Sequence, residues 1–306
     1  MGLRIRRSTL IFPVNQRRFI EKAHTRGADA ISLDLEDAVP PTEKAKARRF
    51  LAEAISMVAR GGAEILVRVN NDPDLIAEDV DAAVCPGLTG IHFPKVESAE
   101  QIWQMDALLR AKETERGMAP GSVSISVHIE TPQGLLNAQS IARECRRIES
   151  LGVGAEDYCY ALGVEPSADG MELLYAVSQV VTICKAMKIR AHGLLGSVAG
   201  FRDLEGFERA AMRARQLGIE GASCIHPDQV PILHKVFSPS PESVQHARRV
   251  VQVFEEGVAR GTASVSFDGK MIDIPIYHRA QRILERAAVI ETVERRKAEA
   301  LAKNIQ

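Results

Sequence analysis

A chain of 306 residues, 45% hydrophobic and 26% charged, has the make-up of an ordinary globular protein and is long enough for one large domain or two small ones. A net charge of −1 excludes a whole-molecule field that would gather nucleic acid or an anionic membrane, and no apolar stretch reaches the roughly 20 residues that span a bilayer. The five cysteines, Cys85, Cys145, Cys159, Cys184 and Cys224, lack CxxC spacing, which points to free thiols in a reducing, cytoplasmic setting rather than to zinc or disulfides.

The first segment, MGLRIRRSTLIFPV, carries basic residues before a short apolar run. It lacks the length and the cleavage site of a signal peptide and reads as a first strand over 8–14. Further strands are expected at 30–37 (AISLDLED), 64–70 (EILVRVN), 90–96 (GIHFPKV), 124–131 (SISVHIET), 151–157 (LGVGAED), 189–196 (IRAHGLLG) and 221–227 (GASCIHP). Most of them are continuously apolar, as parallel strands covered on both faces must be. Amphipathic stretches at 16–26, 43–60, 98–116, 134–147, 170–187 and 205–217 alternate with them. Eight β-then-α units predict an α/β chain folded as a (β/α)₈ TIM barrel over residues 1–237. The rival, a doubly wound open sheet, lacks a GxGxxG after its first strand. Beyond the barrel, 238–306 reads as a C-terminal helical extension serving as lid or subunit contact. It holds a helix from SPSPES to about 260 capped by Ser240 or Ser243, an extended piece at 264–275 with Asp-Gly turn chemistry, and a last helix from about Tyr277 to Lys303.

A barrel collects its chemistry at the C-terminal ends of its strands, and polar residues recur there: Asn15, Glu36 and Asp37, Arg68 and Asn70, Lys95, Glu130, Glu156 and Asp157. In SLDLEDAVPP, acids end a strand that otherwise reads as buried, which is costly unless they are paired, hydrated or bound to a metal. Glu130 and Asp157 end neighbouring strands about 4.8 Å apart, so both can bind one Mg²⁺, an ion content with two carboxylates and open positions. The alternatives are that Glu130 caps the next helix and that Asp157 pairs with an arginine. Arg68, at the end of a buried strand, needs an anion, either a fixed one such as Glu36 or a substrate oxyanion. His92, His128 and His192 fall inside strands, where hydrogen-bonded core histidines are expected. His226 serves the turn before Pro227, and no nucleophile elbow is present.

The stretches RSTLIFPVNQRRFIEKA, DLEDAVPPTEKAKAR, VRVN, FPKVES, IETPQGLLNA, GAEDY, CIHPDQV and DGKMIDIPIYHRAQRIL occur in order over nearly the whole chain. Together they resemble the citrate lyase β-subunit family, with its malyl-CoA and citramalyl-CoA lyases, inside the wider HpcH/HpaI aldolase group. The resemblance implies a Mg²⁺-dependent carbon–carbon lyase, with Mn²⁺ able to substitute, assembled as a homotrimer or hexamer. Its substrate would be a 3-hydroxyacyl-CoA of the malyl-CoA or citramalyl-CoA type, cleaved to acetyl-CoA and an α-keto acid. It places the metal on Glu130 and Asp157, substrate binding on Arg68 beside them, and catalysis on Arg68 and Asp273; the strand-end positions add Glu156 to the substrate contacts and Glu36 as the residue orienting Arg68. Asp273 would come from a neighbouring subunit, and Lys22 with Arg17 would meet CoA. Gln16, Tyr158 and His192 depart from the family pattern. Two related activities fit the same residues: a 2-keto-4-hydroxy acid aldolase without CoA, and a citrate lyase β subunit acting on a citryl thioester of an acyl carrier protein.

Overall fold

The computed structural model describes residues 4–262 and 264–303. They divide into two compact units: Arg6–Val236 with Lys297–Lys303, and Phe237–Arg296 with Arg4 and Ile5.

The first unit is built on eight parallel strands: β1 (Ser8–Pro13), β2 (Ala30–Asp34), β3 (Glu64–Arg68), β4 (Gly90–Phe93), β5 (Ser124–Ile129), β6 (Ile148–Val153), β7 (Arg190–His192) and β8 (Ala222–Cys224). Their order is β7-β6-β5-β4-β3-β2-β1-β8. The remaining seam is closed by Gly193 N–H donating to the Gly221 carbonyl at 2.9 Å and Glu220 N–H to that of Ala191 at 3.0 Å, so the sheet is a TIM-like barrel. Every residue of β2 and β4 is buried, which is why these strands read as unbroken apolar runs. Around the barrel lie α1 (Arg17–Ala23), α2 (Lys44–Ala59), α3 (Ile76–Ala83), α4 (Ala99–Glu115), α5 (Pro132–Arg143), α6 (Ala155–Leu162), α7 (Leu174–Met187), α8 (Leu204–Leu217) and α9 (Gln229–Phe237). Helix α2 turns Ala47, Leu51, Ala54, Ile55 and Val58 inward at helical spacing. Ser98 and Gln101 form a capping box on α4, and Thr131 caps α5 ahead of Pro132.

Most strands end sooner than the sequence expectation, β2 at Asp34, β3 at Arg68, β4 at Phe93, β7 at His192 and β8 at Cys224, so Glu36, Asp37, Asn70 and Lys95 lie just past strand ends, and β6 is displaced. Strand β6 starts at Ile148, not Leu151, because α5 stops at Arg143. It ends at Val153, and Gly154 then starts α6, so Glu156 and Asp157 lie in a helix's first turn rather than on a strand. That is where a helix N-terminus favours negative charge.

The N-terminal ends of the strands are tied by buried ions. Asp29, with no exposed surface on its side chain, receives Nε and Nη2 of Arg7, both at 2.8 Å. Lys297, from the last helix, donates to Asp29 at 2.9 Å and to the Gly27 carbonyl at 2.8 Å. Burial would raise the Asp29 carboxyl, but Arg7, His234 and Lys297 hold it far below the usual carboxylate range. Nearby, Arg6 pairs with Glu64 and Glu149, and Arg190 with Glu149. Inside the barrel the rings of His92, His128 and His192 follow one another at 4.1 and 6.1 Å. His92 meets Ser32 at 3.3 Å and His192 meets Ser223 at 3.1 Å. Burial pushes both imidazoles well below their ordinary pKa, so they are neutral core groups.

The second unit holds α10 (Pro241–Ala259), capped by Ser240, then a hairpin of β9 (Val265–Phe267) and β10 (Lys270–Ile272), and the start of α11 (Ile274–Lys303). Asp268 and Gly269 have φ of +49° and +72°, the left-handed pair that a tight two-residue hairpin turn requires. Ala247, Val250, Phe254, Ile272 and Ala280 form its core, and Tyr277 stacks on Phe254 at 4.6 Å. The last helix begins three residues earlier than its pattern suggests because Asp273 caps it, accepting from Ile276 N–H at 3.2 Å.

Candidate active site

Strands β2 and β3 pair in a register that sets Asp34 beside Arg68, each the last residue of its strand. The carboxylate of Asp34 takes Arg68 Nε and Nη2, both at 2.7 Å, and the backbone N–H of Glu36 at 2.9 Å and of Ala38 at 3.2 Å. Four donors thus fill a fully buried acid. Glu36 faces the remaining edge of the guanidinium, with Oε2 3.1 Å from Nη1, an ion pair rather than an aligned hydrogen bond. The fixed anion for Arg68 is therefore Asp34, and Glu36, expected in that role, is the lesser partner. Burial pulls the Arg68 pKa down, but the Asp34 hydrogen bonds and charge more than reverse it, so the guanidinium stays ionised.

Lys95, two residues past β4, gathers the other acids. Its Nζ lies 2.8 Å from Glu36 Oε1, 3.2 Å from Asp37 and 3.7 Å from Asp157, while its backbone N–H donates to Glu130 Oε2 at 2.8 Å. Its φ of +53° is rare for a residue with a side chain. Glu36 is 5% exposed, and burial raises its carboxyl to about 7 against the opposing pull of Arg68 and Lys95. Glu130 is equally buried, yet His128 (Nδ1 to Oε1, 3.6 Å), Arg68 and the Lys95 amide overcome burial and hold its pKa below the usual value. Asp157 is raised, first by burial and then by the charge of Glu130. The two carboxylates therefore feel each other.

The donor set suits a hard divalent cation. With Asp34 filled by Arg68 and two backbone amides, four carboxylates (Glu36, Asp37, Glu130, Asp157) remain around Arg68 and Lys95, and all of the anionic ligands are oxygen. Glu130 packs against Gly154 so closely that a Cβ there would stand 2.3 Å from Glu130 Oε1. The hollow beside that carboxylate depends on the missing side chain. Glu130 and Asp157 are the residues that would hold Mg²⁺. Neither alternative reading of them applies, since Thr131 caps α5 and the cation nearest Asp157 is Lys95.

The other expected site residues are placed as follows. Glu156 accepts from the Ser197 hydroxyl. Asn70 is structural, bonded to Asp79, Leu35 and Lys44. Arg17 makes exposed pairs with Glu21 and Glu53, at 2.9 and 2.8 Å, and Lys22 is exposed on the same helix. Gln16 starts α1 without a side-chain cap, Tyr158 is buried in α6, and His192 belongs to the imidazole column. Asp273 belongs to the second unit. Sequence reasoning gave no role to Asp34, Lys95 or Gly154. The available signals were the acid inside an apolar strand, and FPK with VGAED.

A parallel barrel whose strand ends gather acids around an arginine and a lysine defines an enzyme's catalytic mouth. Residues 7–227 match the model of the HpcH/HpaI aldolase/citrate lyase family. Over 285 residues the chain is 34% identical to the citrate lyase subunit beta of Leuconostoc mesenteroides subsp. cremoris, covering 93% of this chain and 94% of that one. It is 32% identical over 308 residues to the L-malyl-CoA/beta-methylmalyl-CoA lyase of Cereibacter sphaeroides, covering 93% and 95%. Among solved structures, the protein CitE from Mycobacterium tuberculosis in complex with magnesium, acetoacetate and coenzyme A superposes with a TM-score of 0.71 at 26% identity, over 92% of this chain and 97% of that one. The chain belongs to the HpcH/HpaI aldolase/citrate lyase family. Within it, the protein is a carbon–carbon lyase of the citrate lyase β type. No described helix is long and apolar enough to cross a membrane.

Proposed function

We propose that the protein is a Mg²⁺-dependent lyase that cleaves a 3-hydroxyacyl-CoA of the malyl-CoA or citramalyl-CoA type into acetyl-CoA and an α-keto acid. The observation that carries this reading is the buried Asp34–Arg68 clamp beside Glu130 and Asp157. The relative that acts on L-malyl-CoA and the structure that contains magnesium, acetoacetate and coenzyme A support it. A cation held by Glu130 and Asp157 would supply positive charge to the hydroxy acid oxygens and acidify the hydroxyl.

The chain's own residues do the rest. Asp34 fixes two of the three guanidinium nitrogens, so Nη1, whose contact with Glu36 is an ion pair and not an aligned hydrogen bond, is the nitrogen that can donate to the charge that builds on substrate oxygen. Glu36, itself paired with Lys95, faces Nη1 at 3.1 Å. The hydroxyl proton leaves to solvent, breaking the carbon–carbon bond leaves its electron pair on the thioester fragment as an enolate, and Asp273 of a neighbouring subunit, protonated beforehand, gives the proton that completes acetyl-CoA. In condensation Asp273 removes that proton instead. The similarity to citrate lyase β subunits supports a second reading, in which the same site cleaves a citryl thioester carried by an acyl carrier protein.

The test is a screen with Mg²⁺ of malyl-CoA, citramalyl-CoA, citryl thioesters and free 4-hydroxy-2-keto acids, following free CoA or carrier thiol and α-keto acid. Turnover of the CoA thioesters supports the first reading. Turnover confined to citryl-carrier thioester moves the assignment to the second, and turnover confined to free acids overturns both.

A further inference from the structure

Lys95 is held in a backbone conformation that disfavours it, and its ammonium reaches three carboxylates while its amide grips a fourth. Left-handed φ is routine for glycine and tolerated by asparagine, but it is strained for a long side chain, and such strain persists where something else requires the residue. The surroundings say what is required. Glu36, Asp37, Glu130 and Asp157 converge here, with Arg68 already committed to Asp34. The Lys95 side chain is 36% exposed and its contact with Asp157, at 3.7 Å, is the longest of its set. That contact can be given up while Glu36 and Asp37 keep the ammonium.

We propose that Lys95 is a tethered cation standing in the acid rim for the divalent ion, and that it releases Asp157 when the ion binds, so that this one side chain sets the metal affinity. The inference rests on the metal reading of Glu130 and Asp157. The division of labour follows from the geometry. The Lys95 amide keeps Glu130 Oε2 in place throughout, while the ammonium exchanges partners. The backbone half of the residue thus builds the site and the charged half competes for it.

The experiment is a Mn²⁺ titration, by calorimetry and by the paramagnetic resonance of free Mn²⁺, of the EDTA-stripped full chain and its Lys95→Asn, Lys95→Gly, Lys95→Arg and Glu130→Gln variants. Asparagine and glycine both accept the left-handed backbone and keep the amide, and melting curves of each variant control for the lost hydrogen bond to buried Glu36. Removing a unit charge from beside Asp157 should tighten Mn²⁺ binding about tenfold in both variants, and Lys95→Arg should stay within about threefold of the wild type. Unchanged or weaker binding in Lys95→Asn and Lys95→Gly, with wild type binding and Glu130→Gln not, overturns the tethered-cation role and leaves the metal site standing. If the wild type binds no Mn²⁺, or Glu130→Gln binds as well as it does, the metal reading falls and this inference with it.

Discussion

Asp34→Asn changes one atom of the clamp under Arg68 and should cost the protein more than most surface truncations. The carboxylate accepts four hydrogen bonds, two from the guanidinium and two from backbone N–H groups. An amide has one acceptor oxygen and one donor nitrogen. Whichever way it is turned, an NH₂ faces a guanidinium N–H and a backbone N–H, and Arg68 keeps a charge with no fully buried anion beside it. Breaking a buried pair by removing one partner costs about 3–5 kcal/mol. With an unfolding entropy of about 2.1 cal/mol/K per residue, a 306-residue chain loses roughly 5 °C of Tm for 3 kcal/mol. Scanning calorimetry on the EDTA-treated protein reads this directly. The double variant Asp34→Asn, Arg68→Met should recover part of the loss, because no unpaired guanidinium remains. A single variant that melts within about 1 °C of the wild type would refute the clamp as an energetic feature.

The other predictions concern the mouth. Arg68→Lys keeps the charge but loses the fork that Asp34 grips, so kcat should fall by about 10²–10³, and near-normal turnover would reduce Arg68 to a structural ion. Gly154→Ala sets a Cβ 2.3 Å from Glu130 Oε1, so Mn²⁺ affinity should drop while the melting temperature changes little, and equal affinity would show that the hollow is not needed. Glu36 has a folded-state pKa raised from 4.5 to about 7, so the folded protein holds a proton that the unfolded chain has released. Its contribution is complete below about pH 4.5 and is lost as pH rises through 7; urea midpoints of metal-free wild type should therefore fall relative to Glu36→Gln between about pH 5 and 8, and a constant difference would contradict the raised pKa. Asp273→Asn should retain substrate binding and lose most turnover, and mixing it with Glu130→Gln subunits should restore part of it; full activity in Asp273→Asn alone removes the residue from the chemistry.

The barrel was legible because its strands are buried on both faces. ISLDL and ILVRV carry enough branched apolar residues to announce a parallel core whatever surrounds them. Short helices such as α3 and α6 were missed, since eight residues give barely two turns of periodicity. The beginning of β6 was hidden because Ile148-Glu149-Ser150 carries an acid whose partners, Arg6 and Arg190, come from distant parts of the chain. The same limit applied at the mouth. Glu36, Arg68, Glu130 and Asp157 stood out because each ends a strand or follows one within four residues, although Asp157 lies on the first turn of α6. Which acid holds Arg68 depends on the β2–β3 register, and a one-residue shift would have given a different partner. Lys95 was visible only as one more polar strand end, because neither its backbone conformation nor its reach across to Glu36 and Asp37 is written locally.

The clasp between Lys297 and Asp29 joins residues 268 apart in sequence. A ribosome delivers the strands, including Arg7 and Asp29, long before it delivers the ammonium that completes their charge cluster. Until then the nascent barrel carries Asp29 with Arg7 but without that partner, and because closure entropy grows only with the logarithm of loop length, the separation delays this contact more than it weakens it. The final turns of α11 therefore act as a fastening applied late in assembly, after the strands it secures have already met.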